Sequence, residues 1–177
     1  MGTVPSTARV PERVRWAVEL LDVRPAEHLL EIGCGAGHGV ALVCERLTSG
    51  TITAIDRSAT MVARARARNA ACLAAGRARI EVQTLTGAAL GRRFERAFAI
   101  NVNAFWTTPA PSLAALRRLL DPAGAAYLVY EPPTAARLRE LRDRLPAQLA
   151  EHGFHVADVR TRPFRAGHGL CIIGRPA

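Results

Sequence analysis

The chain has 177 residues, 49% of them hydrophobic, and a formal net charge of +9. That length suits one globular core rather than two, so a single domain over residues 1–177 is expected; no apolar run reaches a membrane span, and the polar, proline-broken Met1 to Val10 does not resemble a leader. The expectation is a soluble, cytoplasmic protein without membrane attachment, and the charge adds little. Every basic residue is arginine, scattered beside abundant alanine, which fits GC-rich coding as well as affinity for a polyanion.

Taken in order, Pro11 to Asp22 places Val14, Ala17, Val18 and Leu21 on one helical face, and Val23-Arg24-Pro25 stops the helix. Leu29 to Ile32 is an apolar strand carrying Glu31, and it breaks into Gly33, Gly35 and Gly37. Glycine tolerates φ > 0 and has no Cβ, so a ligand can approach bare backbone at such a turn. A mostly apolar helix with Val40, Leu42, Val43 and Leu47 follows and ends at Thr48-Ser49-Gly50. Thr51 to Ile55 is a β-branched strand.

Ser58 caps a helix to about Leu73, closed by Gly76, and Ala78 to Leu85 alternates as a strand. Ala97 to Val102 is a further strand; Asn103 to Pro111 reads as a loop, and Ser112 to Leu120 as a helix ended by Asp121-Pro122. Ala125 to Tyr130 is a strand, Thr134 to Glu151 a long amphipathic helix, and Phe154 to Arg160 and Leu170 to Ile173 are the last strands, with Arg160 to Gly169 irregular between them. Seven strands alternating with helices imply an α/β three-layer sandwich. Its sheet is mostly parallel with helices on both faces, and the last two strands, lacking a helix between them, pair antiparallel at one edge.

The four cysteines, Cys34, Cys44, Cys72 and Cys171, are widely spaced and form no CxxC pair, so they read as reduced thiols, most of them small core hydrophobes. His28, His152, His155 and His168 form no compact ligand pattern with an acid, and no metal is assigned. Arg64 with Arg68, and Arg137 with the Glu140 to Arg144 pair, read as solvated helix faces.

From about Pro11 to Arg175 the chain resembles the class I, S-adenosylmethionine (SAM) dependent methyltransferases, whose fold is Rossmann-like and seven-stranded. Glu31-Ile-Gly33-Cys-Gly35-Ala-Gly37 resembles the family's first motif, and Thr53-Ala-Ile-Asp56-Arg-Ser58 its second strand ending in an acid. Phe94 to Asn101 is similar to its fourth strand, and Leu116 to Gly124 to its turn before the fifth. The resemblance implies SAM as cofactor and S-adenosylhomocysteine as product.

It also implies roles. Asp56 would accept from both ribose hydroxyls, the glycine turn would hold the methionine part with Glu31 near the ammonium, Arg57 and Met61 would flank the adenine, and Asn101 would face the methionine moiety. After the third strand, where many relatives carry an acid for the adenine amino group, this chain reads Thr84-Leu-Thr86-Gly87, leaving Thr86 as the candidate. His38 and Glu131 are candidate bases for an OH or NH acceptor, and Asn103, Phe105 and Trp106 candidate walls of the acceptor pocket.

The expected activity is in-line methyl transfer to a small molecule, with Met1 to Asp22 and Asn103 to Pro111 as the segments able to cover the pocket. Alternatives are a non-catalytic or partner-dependent SAM-binding subunit, and an RNA or protein methyltransferase using the arginine surface. The fourth strand continues Asn101-Val-Asn103-Ala and not as the Asn-Pro-Pro-Tyr signature of base amino methyltransferases, which disfavours nucleic acid.

Overall fold

A computed structural model describes residues 10–177, so the expected lid residues before Val10 lie outside the described residues. The elements are α1 (Glu12–Leu21), β1 (His28–Ile32), α2 (His38–Cys44), β2 (Thr51–Asp56), α3 (Ala59–Arg68), α4 (Ala70–Ala74) and β3 (Ala78–Val82). They continue with β4 (Phe94–Ile100), α5 (Ala104–Thr107), α6 (Pro109–Leu119), β5 (Leu120–Tyr130), α7 (Ala135–Glu151), β6 (Phe154–Phe164) and β7 (Gly167–Pro176).

The strands form one sheet in the order β3-β2-β1-β4-β5-β7-β6. All neighbours are parallel except β7, which runs antiparallel to β5 on one side and β6 on the other. The winding reverses between β1 and β4, and that reversal opens a crevice beyond their carboxyl ends.

Helices cover both faces. Trp16, Leu21, Val40, Val43, Val62 and Ala65 pack from α1, α2 and α3 onto Leu29, Ile52 and Phe98. On the opposite face Leu113, Leu116, Leu141, Leu145 and Leu149 of α6 and α7 pack onto Leu30, Ile32, Phe94 and Leu128. Alternation along β1 therefore sends Leu30 and Ile32 to the α6–α7 face, and Leu29 together with Glu31 to the face of α2.

Four local readings change. The helix after Ser58 breaks at Asn69 into α3 and α4, because the Asn69 amide is drawn to the carbonyls of Gly37 (3.0 Å) and Ala65 (2.8 Å). The stretch from Arg160 to Gly169 is a hairpin of β6 and β7 rather than irregular chain. Pro163 fits there because β6 is the edge strand, and Phe164 packs edge-on against Trp16 with ring centroids 5.5 Å apart. The expected loop after Asn103 holds α5 and the first turn of α6.

The fourth change concerns the cysteines. Cys44 and Cys72 are joined in a disulfide, while Cys34 and Cys171 are free and buried. A separation of 28 residues hides the pairing in sequence; it arises because β2 and α3 carry the chain back beside the end of α2. Cys72 is the buried residue of α4, so the bond is what fastens that short helix.

Candidate functional site

The turn after β1 is built from left-handed glycines: φ is +70° at Gly33, +51° at Gly35 and +76° at Gly37. Two of the three are also fixed by crowding. A Cβ on Gly33 would stand 2.7 Å from Val102 Cγ2, and one on Gly37 would stand 2.6 Å from Asn69 Nδ2. At Gly35 a Cβ would meet nothing within 4 Å among the described residues, so its backbone is not crowded as theirs are.

The turn is held from two sides. The backbone N–H groups of Gly33 and Cys34 donate to the Ile55 carbonyl at 2.8 and 3.1 Å. From the end of α3, Asn69 Nδ2 donates to Gly37 and Arg68 Nε donates to the Ala36 carbonyl at 2.9 Å. Arg68 is therefore a support of the turn and not only a member of a solvated face.

Asp56 ends β2. Its Oδ2 accepts from the Gly35 N–H and its Oδ1 from the Ser58 N–H, each at 2.9 Å. Both oxygens keep a further lone pair for a donor from outside.

Glu31 is 3% exposed, packed against Gly39, and its Oε2 has no hydrogen-bond partner among the described residues. Burial pushes its carboxyl up to about 8; the Val40 N–H pulls it partly back, and the neighbouring Asp56 charge adds to the rise. A buried acid with a free oxygen is a vacancy for a donor or a cation.

Beside the turn lies a cavity of about 610 Å³. Of the expected residues, Gly33, Asp56, Arg57, Thr86, Asn101 and Asn103 line it. Asn101 holds a left-handed φ of +56° and uses Oδ1 to accept from the Glu131 N–H at 2.8 Å, tying the ends of β4 and β5 together.

Other expected residues stand apart from the cavity. Met61 is not among its lining; half-buried in the first turn of α3, it gives its backbone N–H to the Ser58 cap. Phe105 is a core residue, 0% exposed among Leu113 and Leu141, so it is not a pocket wall. Trp106 is half-buried outside the cavity lining, with the Arg137 guanidinium 4.3 Å above its ring and its indole N–H without a partner among the described residues.

His38 opens α2 at the end of the glycine turn. Burial, then the Arg68 charge, then that of Arg13 hold its imidazole below the ordinary value, so it is neutral at pH 7. Glu131 is paired with Arg13 Nη1 of α1 at 2.8 Å.

Three residues with a part in this geometry were not singled out from sequence. Arg13 reaches Glu131 across 118 residues of chain and leaves no sequence signal. Asn69 lay hidden inside an apparently continuous helix. Gln83 immediately follows β3 and lines the cavity beside Asp56, with Nε2 donating to Glu81 and Oε1 accepting from the Ala89 N–H at 3.3 Å. It stands one residue before the Thr84-Leu-Thr86 segment searched for an acid.

A family model described as "Methyltransferase domain" matches residues 30–126, from within β1 to within β5. The trans-aconitate 2-methyltransferase of Delftia acidovorans is 45% identical over 58 residues, covering 31% of this chain and 22% of that protein. The chain thus matches less than a quarter of the length of that curated relative.

The magnesium protoporphyrin IX methyltransferase of Synechocystis, solved with bound SAM, superposes with a TM-score of 0.66 at 20% identity over 93% of this chain and 76% of that one. The [4+2]-cyclase SpnF superposes with a TM-score of 0.76 at 15% identity, over 93% and 80%. These two likenesses speak for the fold. The family match covers more than half of the chain and takes in the glycine turn and Asp56, and on that ground the chain belongs to the Rossmann-like, SAM-dependent methyltransferases.

Proposed function

We propose that the chain transfers a methyl group from SAM to a small-molecule acceptor, with the cofactor laid across the carboxyl ends of β1, β2 and β4. The observation that carries this reading is the unpartnered, buried Oε2 of Glu31 beside a glycine turn uncrowded at Gly35. In this reading Glu31 receives the cofactor's ammonium, Asp56 the ribose hydroxyls, and Arg57, Gln83 and Thr86 enclose the adenine. Gln83 offers the amide oxygen that a neighbouring acid would otherwise supply.

Bound there, SAM supplies a methyl group already activated by its sulfonium. What remains for the protein is orientation, which can supply roughly 7 to 11 kcal/mol of the barrier. Asn101 and Asn103 border the acceptor side, and Arg13 with Glu131 stands over the end of β5. His38, neutral at pH 7, is the acceptor's proton sink where the acceptor is an OH or NH.

A small acceptor is supported by the compact surroundings: β4 passes through Asn101 to Asn103 directly into α5, and β5 through Glu131 to Thr134 into α7. The trans-aconitate methyltransferases point to carboxylic acids as the first acceptors to assay. The test is formation of S-adenosylhomocysteine with a panel of small carboxylic acids, hydroxy compounds and amines, beside RNA and protein substrates. Turnover with a small molecule supports the reading, and turnover with only RNA or protein overturns it.

A further inference from the structure

A second cavity, also about 610 Å³, runs along α6. Its floor is a helical stripe at i, i+4, i+7 and i+8: Ala110, Ala114, Arg117 and Arg118. The two exposed alanines leave the hollow, and the arginines close one end of it. Arg93, just before β4, joins them from a different segment, and no Asp or Glu among the described residues is in the lining.

No Asp or Glu among the described residues pairs with Arg93, Arg117 or Arg118. Among the described residues the ion pairs lie elsewhere, on Arg13, Arg79, Arg96, Arg137, Arg144, Arg160 and Arg162. Arg117 Nη2 donates to the main-chain oxygen of Ala177 and Arg118 Nη2 to that of Ala88, each at 3.4 Å, and each guanidinium carries further donors. The negative end of α6 accounts for two arginines in its last turn. It does not account for Arg93.

The rest of the lining is Leu120, Pro122, Pro176, Ala177 and the His152 imidazole, so the alanines lie in its apolar part. We propose that this groove is a second ligand site, for a small organophosphate. Its phosphate is held by Arg93, Arg117 and Arg118, whose planar guanidinium groups match phosphate oxygens in pairs, and its apolar body lies along Ala110 and Ala114. The volume falls within the range of small-molecule sites, roughly 300 to 1,000 Å³.

The ligand is not the methyl acceptor. Arg93 and Leu120 stand at the amino ends of β4 and β5, whereas Asn101 and Glu131 stand at the carboxyl ends; along β4 Arg93 and Asn101 are about 26 Å apart. The two sites share a helix: α6 also turns Ser112 and its capping residue Thr108 to the cofactor cavity.

The test is calorimetric titration of the full chain, saturated with SAM, with phenyl phosphate and separately with inorganic phosphate at constant salt. One phenyl phosphate per chain is expected, bound more tightly than inorganic phosphate. The Arg117→Gln/Arg118→Gln variant weakens it at least about tenfold, as loss of charge-assisted hydrogen bonds should. The control Arg139→Gln/Arg142→Gln, which removes the same charge from exposed positions on α7, leaves it unchanged.

Equal weakening by the control would mean diffuse attraction to a basic protein and would overturn the proposal, as would the absence of saturable binding. Inorganic phosphate binding as tightly as phenyl phosphate would overturn the organophosphate assignment. Ala114→Trp gives a second reading, since filling the hollow should abolish the advantage of phenyl phosphate over inorganic phosphate.

Discussion

The Gly35 N–H donates to Asp56 Oδ2 at 2.9 Å, so the acid that ends β2 also shapes the turn that follows β1. Asp56 thus organises the site before any ligand arrives. Asp56→Asn keeps one acceptor oxygen for two backbone donors, those of Gly35 and Ser58, and leaves one unsatisfied. The expected loss is about 1 to 3 kcal/mol of folding stability, read by urea denaturation without cofactor. An unchanged midpoint would mean that Asp56 does not support the turn.

Two glycines a turn apart should respond to alanine in different ways. Gly35→Ala has room for its methyl group and suffers mainly from the +51° φ, a strain of about 1 to 2 kcal/mol; the fold survives while the cofactor loses its approach. Gly39→Ala drives a methyl into the buried Glu31 carboxylate, which must turn aside, so the variant should lose stability and SAM affinity together. Circular dichroism with SAM titration separates them; a folded Gly39→Ala variant binding SAM normally would contradict the packing described.

Glu31 gives the apo protein a pH dependence with a definite sign. Its carboxyl ordinarily titrates at 4.5 and in the fold at about 8, so between these values the folded chain holds a proton that the unfolded chain has released. The stability tied to that proton is fully present below 4.5 and is lost as pH rises through 8, by an upper limit of roughly 5 kcal/mol. Glu31→Gln should flatten the decline, and saturating SAM should reduce it in the unmodified chain, because an ammonium beside the carboxylate favours its charged form. Denaturant melts across this range are the measurement, and a Glu31→Gln variant with an undiminished slope would be the contrary result.

The Cys44–Cys72 bond closes a loop of 28 residues, which by chain entropy is worth about 3 to 4 kcal/mol. Reduction, or Cys44→Ser/Cys72→Ser, should lower the unfolding free energy by about that amount and expose the amides of α4 to hydrogen exchange first, because Cys72 is that helix's buried anchor. Thiol titration of the denatured, unreduced protein should find two free cysteines, Cys34 and Cys171. Four would show the bond absent.

Sequence patterns set by local physics were legible. The seven-stranded alternation, the glycine turn and the terminal acid of β2 each follow from short-range spacing, and of the residues implied by the family resemblance Gly33, Asp56, Arg57, Thr86 and Asn101 line the cavity. What escaped depends on contacts between distant segments. Asn69 is an ordinary polar residue in a helical run until Gly37 is folded against it, and Arg13 acquires a role only when α1 reaches the end of β5. Phe105 failed for a related reason: α5 is a single turn whose phase decides whether an aromatic faces the pocket or the core, and a loop reading carries no phase.

The most direct test of the SAM site is calorimetric titration of SAM into the chain and into Asp56→Ala at neutral pH. One molecule should bind per chain, and the variant should bind at least about tenfold more weakly because the ribose loses its charged acceptor. No binding at millimolar SAM, or full affinity retained in Asp56→Ala, would contradict it.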